Sequence, residues 1–246
     1  MVLIKIHEEL PSTNVYALEQ LRASDVEEFT VFRAINQTLG KGQKGNFWES
    51  ERGKNLTFSV VLRPVFLPIS RQYMLSKVVC LSLFEVLSRR VSGVKIKWPN
   101  DIYVGEKKIC GVLIENQIRG TCLSGSVVGI GMNVNQELFF SDAPNPVSLY
   151  QLLLRESNLD ELLLEVLNCL ERYYEVLRVG ERVEDIDVDF LERLFQLGEW
   201  CDYRDEGGLF VGKIVGVNEI GQLVIKEQQS GELRVYHFKE VSYILN

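Results

Sequence analysis

The sequence predicts an α+β chain: a mixed β-sheet packed with helices, followed by a small C-terminal β-barrel. Three observations carry that prediction. Residues 69–90 place Met74, Leu75, Val78, Val79, Leu81, Leu83, Phe84, Val86 and Leu87 at helical spacing, the densest such pattern in the chain. Runs 31–35, 55–62, 109–114 and 125–134 are apolar and alternate with turn-forming residues, as strands do. Past Gly198 the texture changes to short strands with turn signals at 205–208, 218–221 and 230–231. That rhythm fits a five-strand barrel of the SH3-like kind. At about fifty residues such a unit is small for independent stability and is expected to lean on the main body. The expected domains are therefore 1–197 and 198–246.

Taken in order, residues 2–7 read as a first strand, and Pro11-Ser12-Thr13-Asn14 as a turn and cap ahead of a helix over 15–21. Ser12, Thr13 and Asn14 either cap that helix or hydrogen-bond a polar ligand from the strand-to-helix junction. Strand 31–35 leads through Gln37 into a glycine loop, and strand 55–62 returns from it. Pro64 and Pro68 break the chain before the long helix. Residues 94–98 and 102–104 form short alternating strands, so Lys95 and Lys97 share one face while Val94, Ile96 and Trp98 take the other. Two like charges on a strand face are either ordinary solvent exposure or a cation held rigidly toward an anion. In strand 125–134, Gly129 and Gly131 allow close backbone approach and Asn133 stands at the end, but the spacing is not a dinucleotide fingerprint. Residues 139–146 read as a loop, Ser148 opens a short helix, and Ser157 or Asn158 caps a helix to about 179. A further acidic helix is expected over 187–197.

The glycine loop organises the rest. Gly40-Lys41-Gly42-Gln43-Lys44-Gly45-Asn46-Phe47-Trp48 combines three glycines, two lysines and a flat indole. Bare backbone admits close approach, ammonium groups attract anions, and an aromatic face accepts a stacked ring. A nucleotide is the natural ligand for that combination. A solvated connection would have much the same Gly, Lys and Gln content, but the pair Phe47-Trp48 argues for use. The loop is not a P-loop, because Asn46-Phe47 stand where Lys and Ser or Thr are required.

Composition bounds the function. With 46% apolar and 25% charged residues the chain is an ordinary globular protein. A net charge of −7 and pI near 5.1 give no basic footprint, so no nucleic-acid partner is expected. No run reaches membrane-spanning length and no signal peptide is evident, so a cytoplasmic protein without membrane association is expected. Cys80, Cys110, Cys122, Cys169 and Cys201 form no C-x-x-C pair and read as reduced core thiols. His7 and His237 are the only histidines, so neither a His-based triad nor a multi-histidine metal site is expected, and the metal set is empty.

Two motifs together resemble one family. The loop from Gly40 to Trp48 is similar to the G-R-G-R/Q-x-G-x-x-W loop of biotin protein ligases, and Lys97-Trp98-Pro99-Asn100-Asp101 matches their K-W-P-N-D motif without change. The order agrees, with Ser12-Thr13-Asn14 upstream, Gln37 before the loop, Lys108-x-x-Gly111 after K-W-P-N-D, and Gly129-x-Gly131-x-Asn133 further on. The resemblance spans essentially the whole chain and implies a catalytic fold like that of class II synthetases. It implies an ATP-dependent ligase that converts biotin to biotinyl-5′-AMP and passes the biotinyl group to a lysine of a biotin carboxyl carrier protein or domain. ATP, biotin and Mg2+ accompanying the ATP are the implied small molecules.

Carried over by motif, the resemblance assigns Ser12, Thr13, Asn14, Gln37, Lys41, Gly42, Gln43, Lys97 and Gly111 to biotin. It assigns Gly40, Lys44, Gly45, Asn46, Trp48, Asn100, Lys108 and Asn133 to the nucleotide, and Lys97, Lys41 and Asp101 to catalysis. Trp48 is implied to stack on adenine and Lys97 to neutralise charge between the biotin carboxyl and the α-phosphate. Either Asn100 or Asp101 is implied to meet the metal-nucleotide or the incoming lysine. Lys41, Gln43 and Lys44 stand where arginines are common, which loses the bidentate fork and, at Gln43, the charge. The loop is therefore expected to rely on backbone donors and on folding over the adenylate. Some relatives double as repressors through an N-terminal DNA-binding domain; with Ser12 so near the start and an acidic pI, no operator binding is expected. A lipoate ligase would show a different Arg- and Gly-rich motif, and a mere biotin or nucleotide sensor would not need Lys97. An independent peptide-binding role for the C-terminal unit competes with the simpler reading that Trp200, Tyr203, Phe210, Tyr236 and Phe238 form its core. No motif fixes the oligomeric state, monomer or homodimer.

Overall fold

β-Branched and aromatic residues dominate an interior strand of the large sheet, Leu56–Leu62, and all seven of its residues are buried. Around it a seven-stranded mixed sheet assembles from β1 (Leu3–Leu10), β2 (Thr30–Gln37), β3 (Leu56–Leu62), β4 (Val94–Lys97), β5 (Asp101–Val104), β6 (Lys107–Arg119) and β7 (Cys122–Met132). The spatial order is β1-β2-β3-β7-β6-β5-β4, with β1 and β2 parallel and every other pair antiparallel. The computed structural model describes residues 2–23, 25–141 and 145–245. Of the loop expected over 139–146, residues 142–144 lie outside the described residues, as does Asn246 at the end of the second expected domain.

The two faces of the sheet are used differently. Leu56, Phe58, Val60 and Leu62 of β3 point into a large core filled by α2 (Tyr73–Ser88) and α4 (Leu159–Val179). Twelve residues of α2 are buried, which is why its sequence is apolar on nearly every side. Thr57 and Ser59 alternate to the opposite face, where α1 (Thr13–Ala23) covers only part of the sheet with Ala17 and Leu21 against Phe32, Val61 and Val127. The uncovered part of that face is the floor of the site.

Three boundaries differ from expectation. Residues 69–71 form a separate 3-10 turn after Pro68, and α2 starts at Tyr73. The acidic helix is α5 (Val183–Glu192), set by the buried spacing of Val183, Ile186 and Phe190, while Phe195 leaves the helix and donates its N–H to the Ile96 carbonyl of β4. Strand β6 runs to Arg119 and turns at Gly120 into β7, because the polar residues 115–117 alternate in a long hairpin instead of ending it. A short α3 (Leu149–Leu153) carries the expected Ser148 capping box with Gln151, and Asn158 caps α4 through Asp160 and Glu161.

The C-terminal strands β8 (Trp200–Asp205), β9 (Gly208–Val217), β10 (Leu223–Glu227), β11 (Leu233–Tyr236) and β12 (Ser242–Tyr243) form a second, antiparallel sheet in the order β11-β10-β9-β8-β12. Tyr203, Phe210 and Tyr236 stack in its core with centroids 5.8 and 6.2 Å apart. It is tied to the larger sheet by Trp98, whose indole N–H donates to the Gly221 carbonyl at 2.8 Å and whose ring meets Phe238. No helix among the described residues is long and apolar enough to cross a membrane.

Candidate active site

One register row crosses the whole large sheet: His7, Ala34, Thr57, Gly131, Gly111, Asp101 and Lys97, each paired with the next. The row places two glycines at its middle and a carboxylate and an ammonium at its end. Above it opens a cavity of about 690 Å³, lined from the β1–α1 junction by Ser12, from α1 by Thr13 and Asn14, from β2 by Gln37, and from the glycine loop by Lys41, Gly42, Gln43, Asn46 and Trp48. Lys97, Asn100, Asp101, Lys108, Gly111 and Asn133 close the other side. Elements more than a hundred residues apart in sequence therefore meet around one space.

At the α1 end the polar groups are already oriented. Gln37 Oε1 accepts from the Thr13 backbone N–H at 2.9 Å and from its hydroxyl at 3.2 Å. Ser59 donates to Thr13 Oγ1 or to Asn14 Oδ1, at 2.8 and 2.7 Å. Asn14 Nδ2 spends its hydrogens on the Leu113 carbonyl and the Glu115 carboxylate, at 3.1 and 2.8 Å. The side chains of Thr13 and Asn14 thus reach across the sheet instead of merely capping α1. A Cβ at Gly129 would lie 2.1 Å from Asn14 Oδ1, so that glycine makes room for the amide. Ser59 and Glu115 were not singled out in the sequence. The available signal was Thr57 and Ser59, polar at alternate positions of an otherwise apolar strand, which is the mark of a polar pocket under one face.

The middle of the cavity is occupied by Trp48. A Cβ at Gly131 would lie 2.4 Å from its Cε2, and one at Gly111 would lie 2.9 Å from its Cζ3. Gly111, expected at the biotin end, therefore serves as floor for the indole. Lys108 lies 5.6 Å from the ring centroid and pairs with Asp101 at 2.8 Å. Two buried polar atoms here have no partner among the described residues: Trp48 Nε1, a donor, and Asn133 Oδ1, an acceptor. A heteroaromatic base carries the matching acceptor and donor groups.

The glycine loop is ordered around a 3-10 turn, Gln43–Gly45, with Lys41 bridged to Phe47 and the Gly40 carbonyl accepting from the Trp48 N–H at 2.9 Å. Gly40 and Gly45 do not line the cavity. Gly40 is needed because a Cβ would meet the Trp48 carbonyl at 2.4 Å, and Gly45 because its φ is +88°. Lys41 lines the opening with an exposed side chain, and the side chain of Lys44 lies outside the described part of the structure. Just beyond, Glu49 accepts from the backbone N–H groups of Phe140 and Ser141 and from Gln136. Burial works against its charge, but those hydrogen bonds hold the carboxyl below its usual pKa.

Lys97 sits at the far end, its Nζ 3.1 Å from the Tyr103 hydroxyl. Burial lowers its pKa to about 8, with Asp101 opposing the fall and Lys108 adding to it. Lys95, on the same face, is exposed. Asn100 is buried, and its amide donates to the Val112 carbonyl while the Val112 N–H returns to its own carbonyl at 3.1 Å, so its nitrogen is spent in bracing β6. Among the described residues no group of three His, Cys, Asp or Glu side chains could cage a metal ion. His7 packs on Tyr16, and His237 contacts Gln222, both away from this cavity.

Comparisons with known proteins agree with this arrangement. The family model for the biotin/lipoate A/B protein ligase family matches residues 7–133. The bifunctional ligase/repressor BirA of Bacillus subtilis is 29% identical over 240 residues, 94% of this chain and 71% of that protein. The biotin--[acetyl-CoA-carboxylase] ligase of Paracoccus denitrificans is 31% identical over 126 residues, half of each chain. Among solved structures, the biotin protein ligase of Aquifex aeolicus in complex with biotin and ATP superposes with a TM-score of 0.77 at 29% identity, covering 96% of this chain and 99% of that one.

Proposed function

Because the chain belongs to the biotin/lipoate A/B protein ligase family, we propose that it activates biotin with ATP and transfers the biotinyl group to a lysine of a biotin carboxyl carrier protein or domain. The observation that carries this reading is that Lys97, Trp48 and the Thr13-Asn14 pair share one cavity. An ammonium, a stacking face and an oriented polar cluster are the three things an acyl adenylate requires of its enzyme.

In the first step a carboxylate oxygen of biotin attacks the α-phosphorus of ATP, the bond from phosphorus to the pyrophosphate oxygen breaks, and pyrophosphate leaves. In the second, the neutral amine of the acceptor lysine attacks the acyl carbon, the bond to the AMP oxygen breaks, and the nitrogen releases a proton. Both steps gather negative charge in a small volume, so positioned cations and N–H donors carry the catalysis. Lys97, desolvated and rigidly mounted on β4, meets the charge between carboxyl and α-phosphate. Lys41, Gly42 and Gln43 cover the same region once the loop closes.

Ser12, Thr13, Asn14 and Gln37 hold the biotin ring system. Asn14 Oδ1 faces a ureido N–H, because its nitrogen is engaged elsewhere. Trp48 and Asn133 take the adenine, with Asn133 Oδ1 accepting from an amino group. Asp101, the register partner of Lys97, orients the acceptor lysine. Mg2+ enters with ATP, held by the nucleotide's phosphates. Residues 1–197 form the catalytic unit and 198–246 the SH3-like one. Five free cysteines support a reducing compartment, the cytoplasm, as the place where it works.

Incubation with biotin and ATP labelled at the α-phosphate tests the proposal. Labelled biotinyl-AMP should form, with lipoate failing to replace biotin. Absence of both adenylate and pyrophosphate release would overturn it.

A further inference from the structure

Lys97 reaches the cavity between two aromatic rings that belong to different sheets. Its Nζ lies 4.5 Å from the ring centroid of Tyr103, on β5, and 4.7 Å from that of Tyr243, on the edge strand β12 of the C-terminal sheet. Phe195 braces both rings, at 5.7 Å from Tyr103 and 6.1 Å from Tyr243. Tyr203 backs Tyr243 from β8 at 5.5 Å. The loop joining α5 to β8 thus wedges one ring behind the cage, and the docking of Trp98 on Gly221 holds the two sheets in this relation.

We propose that Tyr243 is a positioning residue for adenylate formation: with Tyr103 it forms an aromatic cage that keeps the buried Lys97 ammonium charged and aimed into the cavity. The C-terminal sheet then completes a site otherwise built on the larger one. This rests on the reading of Lys97 as the cation of the first step.

Removing an ammonium from water disfavours its charged form, and the negative face of an aromatic ring returns part of that loss. The other groups facing Lys97 are Asp101 from β5, which favours the charge, and Lys108 from β6, which opposes it. Since Asp101 is already paired with Lys108, the rings carry more of the compensation than they would beside a free carboxylate. Burial raises the pKa of both phenols well above the usual tyrosine value, so they stay neutral and act as faces and dipoles, never as counter-ions. The Tyr243 hydroxyl is buried without a partner among the described residues, which makes the ring, and not the oxygen, the working part.

The test is the titration of Lys97 itself, read by competitive amine labelling and mass spectrometry across pH on the whole protein. Tyr243→Leu keeps the burial but removes the π face, so Lys97 should titrate about one unit lower than in the native protein. Tyr243→Phe should restore the native titration. Tyr243→Met, with a more adaptable side chain, gives the same reading if the leucine variant does not fold. Biotinyl-AMP formation measured in parallel should fall in kcat, with the KM for biotin little changed. A Lys97 titration in Tyr243→Leu and Tyr243→Met that coincides with the native one overturns the proposal. If the native protein makes no biotinyl-AMP while the titration shifts, the cage stands and the ligase reading falls.

Discussion

The indole of Trp48 rests on bare backbone at Gly131, where even a methyl group would come within 2.4 Å of Cε2 and 2.6 Å of Nε1. Gly131 and Gly111 are register partners on β7 and β6, so the floor is two strands wide. The glycines of the sheet and the tryptophan of the loop therefore form one device, although 82 residues separate Trp48 from Gly131.

Gly131→Ala should lift the indole off that floor. Its backbone lies in a strand, so the substitution strains no dihedral and the cost falls on Trp48. Overpacking of this kind costs about 1–3 kcal/mol, which predicts a KM for ATP raised by roughly fivefold to 150-fold. Biotin binding in the absence of ATP should change far less. Isothermal titration with each ligand separately distinguishes the two.

Lys97→Ala should reduce adenylate formation by at least about a hundredfold, the scale of one preorganised transition-state charge, whereas a protein that only sensed biotin would lose modest affinity. The depressed pKa adds a signature in pH. Lys97 must be charged to act, so the rate should decline as pH rises through about 8. Stability moves the opposite way. Below about pH 8 both folded and unfolded chains bind the proton, and the burial cost is fully present; between about 8 and 10.5 the unfolded chain binds more protons. The Lys97 contribution to folding therefore improves across that window, and it vanishes in Lys97→Met. Paired pH profiles of rate and of thermal unfolding check both signs.

Ser59 and Glu115 shape the α1 end without lining the cavity. Ser59→Ala removes the Ser59 hydroxyl as a donor to Asn14 Oδ1, a loss of about 1 kcal/mol, and should raise the KM for biotin roughly fivefold at unchanged kcat. Glu115→Gln presents an amide that can either accept from or donate to Asn14, which leaves the Leu113 carbonyl and Ser59 to hold its orientation. Its effect should be no larger than that of Ser59→Ala. Steady-state kinetics with biotin as the varied substrate read both.

Much of this site is visible in the chain because it is contiguous: the loop 40–48 and Lys97 to Asp101 each carry several functional groups within a few residues. The alternation of β4 likewise separates exposed Lys95 and half-buried Lys97 from buried Val94 and Ile96. What was not legible depends on register. Nothing near Ser59 announces that β3 will lay it beside Asn14, and nothing near Tyr243 announces Lys97, since those contacts follow from how seven strands and a second sheet line up. Strand β6 hid its length for a related reason: Glu115, Asn116 and Gln117 look like a loop until β7 pairs with them.

Glu49 joins the two loops that flank the nucleotide end. It follows Trp48 directly, and its carboxylate receives the N–H groups of Phe140 and Ser141 together with Gln136. Movement of the glycine loop must therefore carry residues 136–141 or break those bonds. Charge-assisted bonds to backbone N–H groups are stronger than neutral ones, so Glu49→Gln should loosen the coupling without touching the floor at Gly131. Limited proteolysis gives the readout. In the native protein, biotin and ATP together should protect both segments from cleavage in step; in Glu49→Gln, protection of 40–48 should persist while 136–141 stays cleavable. Equal cleavage of the native loop with and without the substrates would mean that it does not fold over the adenylate, and concerted protection in Glu49→Gln would mean that the two loops close independently of this carboxylate.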